Sequence, residues 1–204
     1  MEMKERIQRK AEDLFRRYGV KSITMDEIAA QLGVSKKTLY QFFSDKNELV
    51  ESVVMNILGY SREICDKNRE TSKDAVHELM QAMDFVHQIF SDMHPAMVYD
   101  LERFHPRAFG LFLEYRNKYL YEVIRSNLSR GIEEELYRPD IDINIAAKFR
   151  LEGMMIAFNE DIYPHTEFTV ADVQRAIIEY FLFGVASLKG HKLITKYQRE
   201  KLKS

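Results

Sequence analysis

The sequence predicts an all-α protein of about nine helices, and three observations support this. Apolar residues recur every three or four positions, which places them on one face of an α-helix. The alternation of apolar and polar residues that is typical of strands is nowhere sustained. Glycine and proline, which interrupt helices, number only 8 and 4 in 204 residues.

The first three helices are located by their ends. The first apolar face stops at Gly19, a residue typical of helix C-termini. Thr24 and Glu27 have the spacing of a capping box, so a short second helix is predicted to begin there. Gly33 ends that helix, and Ser35 is the expected N-cap of a short third one.

The same spacing predicts six further helices. The first of these begins after Ser44 or Asp45, and the second begins near Val76. The third lies between the His-Pro steps at 94–95 and 105–106, and the fourth ends near Gly131. The last two cover about 143–158 and 170–188. Thr169, three residues before Asp172, is the expected N-cap of the last helix.

Composition excludes several classes of protein. The net charge is −2, so there is no overall basic excess of the kind that indicates nucleic acid binding. A single cysteine, Cys65, excludes a disulfide framework and the paired-cysteine zinc motifs, and we expect neither a metal nor another cofactor. The start lacks the apolar core of a signal peptide, and the apolar stretch at 180–188 is too short for a bilayer. We therefore expect a cytoplasmic protein that does not contact a membrane.

Residues 24–43 have the layout of a helix-turn-helix. In that motif the second helix enters the major groove of DNA and the first crosses the backbone. The solvent side of the predicted second helix offers hydrogen-bond donors and one aromatic ring, suited to phosphates and base edges: Lys36, Lys37, Thr38, Tyr40 and Gln41. The alternative is that this surface is only solvated, because the same geometry occurs in proteins that bind no nucleic acid.

Residues 23–50 closely resemble the DNA-binding domain of TetR-type bacterial transcriptional regulators. The turn, the Leu39-Tyr40 pair, a phenylalanine and the Lys-x-x-Leu motif at 46–49 appear in the family's order. The preceding helix fits the same pattern. This resemblance implies a helix-turn-helix DNA-binding domain at residues 1–48 and a helical ligand-binding and dimerisation domain at residues 49–204.

The resemblance also implies roles for single residues. Thr24 matches a hydroxyl that contacts phosphate, and Tyr40 and Lys46 match residues that reach the DNA backbone. Lys37 stands where a small residue is common, and Phe42 stands where histidine or tyrosine often contacts phosphate, so we expect that contact to be lost or replaced. The expected DNA-binding residues are Thr24, Ser35, Lys36, Lys37, Thr38, Tyr40, Gln41 and Lys46.

The last predicted helix, 170–188, is apolar nearly all round and must be buried on more than one side. A partner subunit is the simplest source of that burial, in agreement with the dimer that the resemblance implies. A two-fold dimer also suits a palindromic operator in double-stranded DNA. The expected interface residues are Val173, Ile177, Phe181, Gly184 and Leu188.

Methionine and aromatic side chains are candidates for the pocket of a partly apolar small-molecule effector, because such surfaces adapt to varied ligands. The candidates are Met80, Met83, Phe90, Met97, Phe104, Phe112, Tyr115, Tyr119, Met154, Met155 and Phe158. At helical spacing, the same residues are equally typical of a plain core.

The leading hypothesis is a dimeric repressor that a small molecule releases from a palindromic operator. An alternative is a helical protein-interaction module that has lost DNA binding, for which Phe42 is the only support. An all-α enzyme ranks below both, and we expect no catalytic residues, because no Ser-His-Asp order, phosphate loop or metal-ligand spacing is present. The basic tail after Gly190 is either a solvated helix end or a further contact with DNA.

Overall fold

A computed structural model describes residues 2–202, and Lys203 of the basic tail lies outside that range. It confirms the all-α prediction. The helical segments are α1 (Met3–Tyr18), α2 (Met25–Leu32), α3 (Lys36–Tyr40), α4 (Lys46–Thr71), α5 (Ala75–Ser91), α6 (Met97–Phe104), α7 (Pro106–Glu114), a π-helical segment (Tyr115–Leu120), α8 (Tyr121–Glu133), α9 (Ile143–Ile156), α10 (Val170–Val185) and α11 (Leu188–Lys201). From Glu2 to Leu202 there is no strand, only an isolated bridge between Tyr137 and Ala186.

The described chain has ten separate helices, since α7, the π-helical segment and α8 follow one another without interruption. The sequence predicted about nine, because it treated residues 170–188 as one helix and did not predict the break at Ala186. That break is tertiary in origin: the Arg138 N–H donates to the Val185 carbonyl at 2.9 Å, and the Ser187 N–H donates to Leu136 at 2.9 Å. Ser187 then caps α11.

Packing divides the described chain into two compact units. Unit 1 contains the chain up to Ser61 and Asp92–Tyr115, and unit 2 contains Arg62–Ser91 and the chain from Arg116 onward. Each unit is therefore built from separate stretches of sequence. The functional boundary expected between residues 48 and 49 stays a prediction, because packing units are not functional domains.

Each unit has its own apolar core. In unit 1, the helix-turn-helix shares one buried cluster with α1, the start of α4, and α6. Its largest fully buried side chains are Ile7, Phe15, Ile28, Leu39, Phe43 and Leu49. In unit 2, the main cluster is formed by α5, α8, α9, α10 and α11, and a smaller one surrounds Val170 and Val173.

A buried polar network lies at the start of α5 in unit 2. The Tyr137 hydroxyl is 3.1 Å from the Ala75 carbonyl and 3.0 Å from Asn127 Oδ1, and Asn127 Nδ2 donates to the same carbonyl. The Ala75 N–H donates to the Glu134 carboxylate at 2.8 Å. Burial raises the pKa of Tyr137, so its hydroxyl stays protonated and can donate its one proton to either of these two acceptors.

Candidate nucleic-acid interface

The predicted capping box at the start of α2 is confirmed. Thr24 Oγ1 accepts the Glu27 N–H at 3.2 Å, and the Glu27 carboxylate accepts the Thr24 N–H at 2.7 Å. The hydrogen bond from the Thr24 N–H is the main cause that lowers the pKa of Glu27. The Thr24 hydroxyl also donates to Glu27, at 2.9 Å, so the expected phosphate contact would compete with an existing bond.

The turn after α2 depends on Gly33, which has a φ of +68° in the left-handed region that favours glycine. The Val34 N–H donates to the Ala29 carbonyl at 3.0 Å and closes the turn. Ser35 then caps α3 by accepting the Thr38 N–H at 3.0 Å. Leu39 is fully buried and holds α3 on the core, so the opposite side of this short helix faces solvent.

The exposed side of α3 carries the cations and the ring that the sequence predicted there. Lys36 Nζ pairs with both carboxylate oxygens of Asp26 on α2, at 2.8 and 2.9 Å, and lies 5.9 Å from the centre of the Tyr40 ring. The bond with Asp26 raises the pKa of Lys36. Tyr40 is 42% exposed, and Lys37 and Gln41 are exposed beside it. This surface can donate to phosphates and base edges.

Lys46 and Phe42 are less available to DNA than the others. Lys46 Nζ donates to the Val20 and Lys21 carbonyls at 2.6 and 3.3 Å, and partial burial lowers its pKa. Phe42 is partly buried against the unit 1 core, beside the fully buried Phe43. The expected contact of Lys46 with phosphate stays a prediction, and only the third N–H of its ammonium is left to make it.

The sequence did not predict a polar cluster that fixes α6 within unit 1, which we call the α6 cluster. The Lys21 N–H donates to the Asp100 carboxylate at 2.8 Å, and the His94 N–H donates to the Arg16 carbonyl at 2.6 Å. His105 Nδ1 lies 2.7 Å from Asn47 Oδ1 on α4, and burial lowers the pKa of His105. The two His-Pro steps were the available signal, but they showed only where α6 ends.

The expected pocket residues are divided between the units. Four lie in unit 1: Met97, Phe104, Phe112 and Tyr115. Of these, Met97 is part of the unit 1 core, Phe104 is exposed under Lys21, and the Tyr115 hydroxyl donates to Ser61. The seven in unit 2 are Met80, Met83, Phe90, Tyr119, Met154, Met155 and Phe158. Phe90 and Phe158 meet edge to face at 5.4 Å. A role of these residues in binding a ligand stays a prediction.

The expected interface residues also have different surroundings. Val173 and Phe181 are buried within unit 2 itself, Ile177 is partly buried, and Gly184 and Leu188 are exposed. The large exposed apolar residues nearby are Ile145, Phe149 and Ile156 on α9 and Tyr180 on α10. The distribution of apolar residues around a helix does not by itself tell which of its apolar faces is covered by its own chain.

Between Glu2 and Leu202, no group of three or more histidine, cysteine, aspartate or glutamate side chains is placed to hold a metal ion. No helix within the same range combines the length and the hydropathy that crossing a bilayer requires.

Comparison with known proteins agrees with the geometry of unit 1. Residues 7–53 match the family model of bacterial regulatory proteins of the tetR family. The chain is 32% identical over 136 residues to the HTH-type transcriptional regulator SAR2658 of Staphylococcus aureus, covering 62% of this chain and 69% of that protein. It is 27% identical over 187 residues to the HTH-type transcriptional repressor KstR2 of Rhodococcus jostii, covering 87% and 88%.

Solved structures show the same fold over nearly the whole chain. A TetR-family transcriptional regulator from Agrobacterium tumefaciens superposes with a TM-score of 0.74 at 16% identity, covering 90% of this chain and 97% of that one. Together with the capped helix-turn-helix and its exposed cationic helix, these similarities show that the chain belongs to the TetR family of bacterial DNA-binding transcriptional regulators.

Proposed function

We propose that this protein is a dimeric repressor that binds a palindromic operator and is released when a partly apolar small molecule binds in unit 2. The observation that carries the proposal is the exposed row on α3, with Lys36 already oriented by Asp26. The repressor name of the similar KstR2 supports the direction of regulation.

Release would be carried by α4. Helix α4 begins beside the helix-turn-helix in unit 1, and its last residues belong to unit 2. A ligand that favours a tilted α4 would move the two α3 helices off the spacing of about 34–36 Å that successive major grooves require. A differential affinity of a few kcal/mol for the tilted state is enough to change operator occupancy.

The dimer is proposed to form through the exposed apolar faces of α9 and α10. Ile145, Phe149 and Ile156 lie on one face of α9, spaced by four and seven residues. On α10, Tyr180 follows Ile177 by three residues. A Cβ on Gly153 of α9 would lie 2.9 Å from Ile177, so the two helices approach closely at that point. Such an exposed apolar surface is typical of a protein interface.

Replacing Phe149 with glutamate should convert the dimer into a monomer. Phe149 is 68% exposed in the single chain, so the substitution leaves the core of unit 2 unchanged. At a dimer interface it would bury an unpaired charge, and we expect dimerisation to weaken by at least ~100-fold. Light scattering after size-exclusion chromatography measures the mass. The control is Tyr99→Glu, at an exposed aromatic residue of α6. A Phe149→Glu protein that remains dimeric would contradict this interface.

Operator binding is tested by fluorescence anisotropy with DNA flanking the protein's own gene, a scrambled duplex and two salt concentrations. We expect specific, salt-sensitive binding, which the double variant Lys36→Ala/Tyr40→Ala should weaken by about 100-fold. Asp26→Asn is a matched variant with the opposite expected effect on operator affinity. It removes the carboxylate that pairs with Lys36 and repels phosphate, and should strengthen binding about threefold.

The outcomes of this experiment separate the candidate functions. Equal affinity for the scrambled duplex would mean general attraction to phosphate, or an operator elsewhere. Absence of binding even at low salt would favour the protein-interaction module, which gains some support from Phe42 and from the engaged Lys46.

A further inference from the structure

Arg150 on α9 is a buried cation for which the described chain supplies no partner. Its side chain belongs to unit 2, and the residue is only 8% exposed. No residue between Glu2 and Leu202 forms a hydrogen bond or an ion pair with its guanidinium. Burial alone lowers the pKa of Arg150, to about 10, and no neighbouring carboxylate opposes this effect. The group therefore remains charged at neutral pH.

The nitrogens of the Arg150 guanidinium keep a little contact with solvent, since none of them is a fully buried polar atom without a partner. A largely buried arginine with no anion beside it is still unusual, because arginine that leaves most of its water is almost always paired. The other buried arginine of unit 2 follows that rule. Arg116 is 6% exposed, and its guanidinium pairs with Glu152 at 2.6 Å and donates to Asn117 at 2.9 Å. Arg150 thus differs from Arg116 in lacking an anion, rather than in its burial.

A second unpartnered polar group lies on α10, which packs against α9. Gln174 on α10 is fully buried, and its Nε2 donates to the Met154 carbonyl at 2.6 Å. A carbonyl only accepts, so the amide cannot be turned round, and its Oε1 is left without a donor. Met154 follows Arg150 by four residues and lies one turn away on the same face of α9. Gln81 Oε1 on α5, which packs along α10, is also buried without a partner.

The surroundings of these polar groups are apolar. Met154 itself, Phe158 one turn further along the chain, and Phe90 at the end of α5 were all expected as pocket residues from the sequence. Phe90 and Phe158 pack against the small cluster around Val173, at the start of α10. The α5, α9 and α10 helices thus combine one unpaired cation and two unpaired acceptors with apolar side chains.

We propose that Arg150 binds the carboxylate of an apolar carboxylic acid, which is the effector of this regulator. The Gln174 Oε1 would accept a hydrogen bond from a hydroxyl or N–H of the same ligand. A carboxylate is the anion that matches the planar guanidinium with two parallel hydrogen bonds. This inference rests on the proposed function, in which a small molecule binds in unit 2.

The test uses straight-chain carboxylic acids from hexanoate to tetradecanoate, each beside the primary alcohol of the same length. Binding to the full chain is measured by calorimetry. At least one acid should bind at least ~30-fold more tightly than its alcohol, as expected for a buried charge pair. Arg150→Met should abolish that preference without weakening the alcohols, and Arg150→Lys should keep part of it. Arg175→Met, at an exposed arginine of α10, is the control and should keep all of it.

A merely structural Arg150 would give a different result. Arg150→Met would then change the unfolding of the ligand-free chain and leave the ratio of acid to alcohol affinity unaltered. The proposal is overturned if no acid in the series binds more tightly than its alcohol, or if the preference survives in Arg150→Met. Operator binding by the same preparations keeps the two proposals apart: an intact operator complex with no acid preference removes only this inference.

Discussion

Replacing Gly190 with alanine should lower the free energy of unfolding by about 3 kcal/mol, the upper part of the range for overpacking. A Cβ at this position of α11 would lie 2.1 Å from the Leu136 carbonyl oxygen and 3.3 Å from Ala186 Cβ. Because the clash is with backbone, no side-chain rotation relieves it. Ser187 donates hydrogen bonds to the carbonyls of Glu135 and Leu136. A movement of this loop away from α11 would therefore break those two hydrogen bonds as well.

Urea unfolding followed by circular dichroism measures this loss, and the melting temperature should fall by about 6–12 °C for a chain of this size. The matched control is Gly59→Ala in α4, where a Cβ meets no other atom within 4 Å. That substitution should stabilise the helix by about 1 kcal/mol, since alanine has the higher helix propensity. Equal effects of the two substitutions would show that α11 does not pack closely on Leu136.

Replacing Asp100 with leucine should destabilise unit 1 by about 3 kcal/mol, as expected when one member of a buried charged group is removed. Asp100 is buried, and its carboxylate accepts the Lys21 N–H between α1 and α2. It also opposes the effect of burial on the pKa of Lys46. Without it, the Lys21 N–H loses its acceptor, and the Lys46 ammonium loses the carboxylate that most favours its charged form.

The loss should appear both in urea unfolding and in weaker operator binding, because α2 begins four residues after Lys21. Glu102→Leu provides the control, at an exposed glutamate of the same helix, and should stay within about 0.5 kcal/mol of the parent chain. A cost below about 1 kcal/mol for Asp100→Leu would show that the α6 cluster does not stabilise the helix-turn-helix.

The parts of the structure that local sequence determines were predictable. The start of α2 follows from Thr24 and Glu27, and the turn before α3 follows from Gly33, because capping and a left-handed glycine involve only neighbouring residues. The cap of α10 at Thr169 is confirmed for the same reason. The family resemblance predicted the expected DNA-binding surface, but only as far as its motif reaches, which is residue 50.

The features that the sequence did not predict depend on distant contacts. Helix α10 ends at Val185 because Arg138, far away in sequence, donates to its carbonyl. Val173 and Phe181, which periodicity placed at a dimer interface, are buried by their own chain, and their contact with a partner subunit stays a prediction. The sequence did not identify Arg150 as a candidate site residue, because neither its burial nor its lack of a partner can be read from a single charge in an apolar helix.

The network at Ala75 has a consequence for how unit 2 opens. Helices normally fray from their ends, where the first four N–H groups have no partner within the helix. In α5 the first N–H is held by Glu134, the third by Asp74, and the Ala75 carbonyl is held by Asn127 of α8. The first turn of α5 therefore cannot melt alone. Fraying there must break bonds to residues 127–137 as well, which makes these segments a single cooperative unit of local unfolding.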